Sequence, residues 1–351
     1  MTTALLLSVV LAGAPAEPVR AEIERLRHDL EAKPITGAGM EGVGAAVKDG
    51  LDASARALDA GRLYPGLEAL RRAEGMAYGA WYAAEKEATV ASGLPAFERE
   101  WAAASRALET GRNGRRWSRS SAAIRGLGET SDARIGPLLE GARGFAVATG
   151  PKDGLFYIGQ ARGEAEFARV CAALTFDAKV ERYPLRTMLP ELKRIQEKAT
   201  AAFVPPRSIE LHDRFIALNS TIKAGLELDG AEAYAGSAYQ YLEAVRHYGM
   251  LHAPPLDEAG QASVREDLAA ARAKIDASKR DESLAQLFLE RAASQIDHPD
   301  GSAPTADEWR SARVIVDQVL PAYAAARLPA VASKGASDKT VRMTLVRWPY
   351  T

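Results

Sequence analysis

Between Val19 and Leu30 the apolar positions are Val19, Ile23, Leu26 and Leu30, with charged residues between them and Pro34 closing the run. Apolar residues three and four apart share one face of a 3.6-residue helix, so this spacing predicts an amphipathic helix. The same spacing recurs along most of the chain. A second helix runs to a turn at Gly61, and a third extends from Pro65 to about Ala91 with Leu67, Leu70 and Met76 on one side. Pro95 opens a fourth, marked by Phe97, Trp101 and Leu108. Two more are expected between Ser120 and Thr149, with a break at Pro137. Pro151 begins a strong one through Leu155, Ile158 and Phe167. Pro190 opens a helix ending at Pro205-Pro206, the expected lobe boundary, because the residue before a proline avoids the α region. Helices then follow near 208–228, 230–251, 257–277, 282–295 and 306–326. Thr305-x-x-Glu308 forms a capping-box pattern before the last.

Two stretches leave the helical period. Phe176, Ala178, Val180 and Arg182 alternate within 175–185, and Val341, Met343 and Leu345 alternate within Thr340–Trp348. Period-2 alternation with β-branched residues reads as strand. The C-terminal strand has two possible partners: the 176–182 segment, or the sheet edge of another protein. The expected fold is therefore all-α, with stacked antiparallel helical hairpins in a solenoid-like or multi-helix array and a short C-terminal β-strand. The expected divisions are a leader (1–16), an N-terminal lobe (17–205), a C-terminal lobe (206–328) and a linker with the strand (329–351).

An octapeptide supports the hairpin reading: ARALDAGR at 55–62 returns as SRALETGR at 105–112. Glycine past a helix end and proline in the next first turn match the preferences of helix termini. In this region Gly61, Leu63, Gly66, Leu70 and Ala73 resemble the packing positions of the second helix of a tetratricopeptide-like unit. Tyr78 stands where that family places its closing proline. The resemblance covers one unit, around residues 50–75. It implies stacked hairpins and brings no site residue with it.

Composition narrows the function classes. Hydrophobic residues make up 47% of the chain, which excludes disorder by composition. Lys and Arg number 45 against 46 Asp and Glu, so no global field draws nucleic acid or an anionic membrane. Ala4–Leu11 is a short apolar core followed by Ala14-Pro15-Ala16, the pattern of an export signal cleaved after Ala16. That places the mature chain in the periplasm or otherwise outside the cytoplasm, with no transmembrane segment left. Cys171 is the one cysteine, so no internal disulfide can form, and its apolar neighbours Phe167 and Leu174 predict a buried thiol.

Catalytic motifs are thin. Gly37, Gly39 and Gly42 satisfy G-x-G-x-x-G, but no strand delivers them and no βαβ run follows. Ser220-x-x-Lys223 lacks the companion motifs of serine–lysine enzymes. Two constellations remain. Glu243 and His247 share a helix face, with His252 beyond and Glu210 and His212 at the start of the preceding helix, a donor set suited to zinc or a metal pair. Arg112, Arg115, Arg116 and Arg119 surround Trp117 in a connection suited to an anion or an acidic partner. The expected function is that of an exported, non-catalytic helical binding or scaffold protein for a protein or peptide, without cofactor and without nucleic acid. The alternative is an extracytoplasmic metal-binding protein or metalloenzyme using the carboxylate–histidine set.

Overall fold

The apolar spacing becomes helix almost throughout. A computed structural model of the chain describes residues 13–36, 40–112, 115, 117, 119–175, 180–205, 209–298 and 302–327. The first six helices are α1 (Gly13–Ala32), α2 (Glu41–Asp59), α3 (Leu63–Lys86), α4 (Leu94–Arg112), α5 (Ala122–Ala148) and α6 (Pro151–Ala173). There follow α7 (Leu189–Ala202), α8 (His212–Gly230), α9 (Tyr234–His252), α10 (Glu258–Asp276) and α11 (Ser283–Ile296). The last helical run is α12 (Ala306–Val314), which continues through a π turn (Ile315–Val319) into α13 (Leu320–Ala326). The all-α expectation holds among the described residues.

The sequence expectations meet the structure unevenly. Val19, Ile23, Leu26 and Leu30 all face the core, and Thr305 and Glu308 close the capping box as their spacing predicts. Pro137 does not break its helix; it lies exposed inside α5, where the one forgone backbone bond faces solvent. The octapeptides are not copies of one hairpin. Gly61 takes φ +70° and turns α2 into α3, whereas 105–112 stays inside α4. Among the described residues there is no strand: Glu181 makes only an isolated bridge to Arg280. The predicted C-terminal strand, Phe176–Lys179, Gly37 and Gly39 lie outside the described residues. Ala14–Ala16 fall in the first turn of α1.

A different internal repeat organises the chain. Leu58, Asp59, Tyr64 and Gly66 at the α2–α3 hairpin recur as Leu228, Asp229, Tyr234 and Gly236 at the α8–α9 hairpin. Both hairpins begin with a 19-residue helix and turn through a left-handed residue, Gly61 in one and Glu232 (φ +58°) in the other. A Cβ on Gly66 would lie 3.1 Å from Leu58 Cδ2, and one on Gly236 would lie 2.9 Å from Leu228 Cδ2. The same small-on-large contact closes both. Beyond the hairpins, α4 packs on α5 and α6 as α10 packs on α11 and α12, and α6 crosses α3 as α12 and its π turn cross α9.

The halves are joined by exchange. Helix α5 packs on α9, and its counterpart α11 packs on α3. Glu129 on α5 accepts the Gly236 N–H at 2.7 Å in the first turn of α9, while Glu290 on α11 accepts the Tyr64 N–H at 2.9 Å in the first turn of α3. Arg125 holds Glu129 as Gln286 holds Glu290, at 2.5 and 2.8 Å. First-turn N–H groups have no partner within their own helix. Each half therefore satisfies one in the other. The N-termini of α5 and α11 meet at buried Asp281, whose two carboxylate oxygens accept the N–H groups of Ala122 (2.9 Å) and Ser283 (3.1 Å). The two hairpins are thus held by analogous bonds.

One apolar cluster runs through both halves, from Val19 to Ala326, with smaller clusters around Phe97 and Ile158 and around Phe215 and Leu218. Helix α7 ends at Ala202, short of Pro205, and packs on α8 and α9. An open solenoid confines contacts to sequence neighbours. Here α3 reaches α11 and α5 reaches α9.

Candidate functional site

Where α3, α9 and α11 meet, the joint between the halves turns from apolar to charged. Arg291 of α11 ion-pairs with Glu68 of α3 and Glu243 of α9, and donates to the Tyr239 hydroxyl at 3.2 Å. Phe288 lies 5.1 Å beneath its guanidinium. Arg246 reaches the second Glu243 oxygen at 3.0 Å. Burial alone would raise the Glu243 carboxyl; the Arg291 and Arg246 charges outweigh it and hold the group well below the usual carboxylate range. Burial and the neighbouring Arg246 charge push His247 down to about 4, which leaves its imidazole neutral at neutral pH.

The candidate metal set is not assembled. Glu243 is committed to its two arginines, and His247 lies 3.3 Å from Arg246 Nη2. His252 is exposed at the far end of α9, edge-on to Tyr248 at 5.4 Å. Glu210 and His212 are exposed at the entry to α8, with the His212 ring 6.5 Å from Phe203. Among the described residues no group of three His, Cys, Asp or Glu side chains could hold a metal ion. The i, i+4 spacing is real, but Glu243 turns inward while His252, Glu210 and His212 remain at the solvent end of the hairpin.

The basic connection also divides. Arg115 turns inward, ion-pairs with Asp132 and donates to the Ala165 carbonyl at 2.7 Å. Trp117 covers Gly128, where its ring leaves no room for a Cβ. Arg115 thus braces α5 against α6. Arg112 and Arg119 are exposed, and Arg116 lies outside the described residues. Cys171 is fully buried, and that burial pushes its thiol far up.

Arg112 stands at the mouth of a cleft of about 710 Å³ between the end of α4, α5 and the α8–α9 turn. Trp117 and Leu228 line it, but its charge is acidic: Glu109, Glu129, Asp132, Glu227 and Glu232 face the single Arg112. Glu129 and Asp132 are already paired with Arg125 and Arg115. Glu109 and Glu232 make no ion pair among the described residues. At the equivalent place in the first half the gap is bridged. There Arg62 occupies the turn, donates to the Asp297 carbonyl at 3.1 Å and ion-pairs with the Asp297 carboxylate, which Arg265 also holds at 2.8 Å. One mouth is laced shut. The other is open and negative.

No protein-family model, no curated protein and no solved structure matches the chain. Among the described residues no helix is long and apolar enough to cross a membrane. Sequence reasoning missed Arg291, Glu68, Asp281 and the Glu129–Glu290 pair. The recurrence of Leu58-Asp59 and Tyr64-x-Gly66 as Leu228-Asp229 and Tyr234-x-Gly236 was the signal that could have led to them.

Proposed function

We propose that the protein is a non-catalytic helical binding protein acting outside the cytoplasm, and that it captures a lysine- or arginine-bearing segment of a protein partner in the acidic cleft. The observation that carries this reading is the contrast between two equivalent positions: Arg62 and Asp297 bridge one, while Glu232 and Glu109 leave the other open. The cleft volume is in the range of small-ligand and side-chain pockets, and Trp117 is among the residues that line it. The seam around Arg291 supports a structural role for the remaining charges, since they are turned on one another. The location rests on the sequence pattern at Ala4–Ala16, which resembles an export signal. On this reading the tetratricopeptide-like hairpin is half of the packing unit.

Isothermal titration with oligolysine and oligoglutamate peptides tests the proposal. Oligolysine binds, more weakly as salt rises, and Glu109→Lys with Glu232→Lys reduces its affinity by about tenfold, roughly 1.4 kcal/mol. The same charge change at exposed Glu31 and Glu266 leaves affinity within about twofold. Equal losses from both pairs, or tighter binding of oligoglutamate, would overturn the reading.

A further inference from the structure

Glu74 lies on α3 beside its crossing with α6, and its side chain is 0% exposed. Neither of its carboxyl oxygens meets a donor among the described residues. An ionised carboxylate buried without a donor is one of the most unfavourable arrangements a core can hold. Among the described residues the carboxyl of Glu22 on α1 stands against it. Glu22 accepts from Arg25 on its own helix, and Arg169 of α6 stands 3.7 Å away, so two cations keep it ionised. Glu74 has no cation in hydrogen-bonding contact among the described residues. Glu166 and Cys171 from α6 and Tyr78 from α3 also feel its charge, and Arg25 is the cation that favours its ionisation, too weakly to offset burial and the like charges.

We propose that Glu74 and Glu22 share one proton, with Glu74 donating to Glu22, and that this bond makes the seating of α1 on the α3–α6 crossing a pH-sensitive latch. The rest of α1 is held by the apolar contacts of Val19, Ile23, Leu26 and Leu30, by the ion pairs Arg20–Asp59 and Arg27–Asp52, and by the Arg25–Tyr78 hydroxyl bond. Among the carboxyls at this seat Glu74 is the one raised above the ordinary range, so the pH dependence between pH 5 and pH 9 is attributed to its pair with Glu22. Burial, with Glu22 as a like-charged neighbour, raises the Glu74 carboxyl well above its usual value. When α1 lifts, Glu74 reaches water and returns to the ordinary carboxylate range. The closed form thus binds one more proton than the open form. The latch is strongest near the ordinary carboxylate value of about 4.5; below it the stabilisation that comes from Glu22, which is held low, declines as the open form takes up a second proton. It weakens as pH rises towards the raised one.

Native-state hydrogen exchange of the full chain from pH 5 to pH 9 reads this directly. After correction for the chemical exchange rate, protection of the Ile23–Leu30 amides falls about tenfold per pH unit, the linkage of one proton, until Glu74 ionises in place. Glu74→Gln, whose amide can donate to Glu22 at every pH, flattens the slope. At pH 7 the infrared difference between wild type and Glu74→Gln shows a protonated carboxyl band that persists when the same pair is compared in the Glu290→Gln background, where the carboxyl pushed to about 7 is absent. A flat wild-type profile, or a slope surviving in Glu74→Gln, would overturn the proposal. Should that variant fail to fold, the wild-type slope alone decides.

Discussion

Replacing Gly159 by alanine lowers the unfolding free energy by about 3 kcal/mol, at the upper end of what overpacking costs. Gly159 and Gly163 on α6 face Gly75 and Gly79 on α3, and the two backbones touch without side chains between them. A Cβ on Gly159 would lie 2.6 Å from the Gly79 Cα and closer still to the Tyr78 carbonyl oxygen; one on Gly163 would lie 2.8 Å from the Gly75 Cα. The obstacles are backbone atoms, which cannot swing aside as a leucine tip can. The crossing must open, and α6 carries with it the contacts that Phe167 and Cys171 make in the shared core. Gly141 on α5 is the control: nothing lies within 4 Å of a Cβ there. Gly141→Ala should stabilise by about 0.5–1 kcal/mol through helix entropy. Urea midpoints at constant slope measure both.

The second large effect comes from Arg291→Met, expected to destabilise by about 3–5 kcal/mol because it leaves buried carboxylates without their cation. Glu243 is the more exposed to this loss in energetic terms, since its side chain is 8% accessible and keeps only Arg246. Glu68 loses the same partner. The sign of the pH response distinguishes this from loss of packing. With Arg291 present, Glu243 is depressed, so its stabilisation is complete above the ordinary carboxylate range and declines as pH falls below it. Without Arg291, burial dominates and Glu243 rises instead. The variant should then gain stability relative to wild type as pH drops from 7 to 4. Adding Glu243→Gln should recover part of the loss at pH 7. A deficit independent of pH would show that packing against Phe288 is the larger part.

Much of the helix inventory was legible because one buried stripe per helix leaves a 3.6-residue period, as at Val19–Leu30. Caps were legible too: Thr305 and Glu308 are three residues apart, so local spacing alone determines the bond. Other features depended on distance along the chain. Glu243 and His247 carried the pattern of a metal site because nothing near them reveals that Arg291 and Glu68 will arrive on α11 and α3. Arg115 and Trp117 carried the pattern of an anion-binding connection because their partners, Asp132 and Gly128, lie on the following helix. The octapeptide repeat misled for a related reason. Alanine, arginine and glycine near a helix end are common to many helices, and Gly111 never leaves the helical conformation. The recurrence that the structure repeats lies at positions that touch, Leu58 with Gly66 and Leu228 with Gly236.

The account depends most on the exchange between halves, and amide exchange at Tyr64 and Gly236 tests it most directly. Both amides sit in the first turn of a helix, where an N–H is ordinarily free and exchanges fast. Here Glu290 and Glu129 of the opposite half hold them. The prediction is that both exchange as slowly as the interior amides of α5, through one opening that separates the halves. Fast exchange at either position, at the rate of an uncapped helix end, would contradict the account.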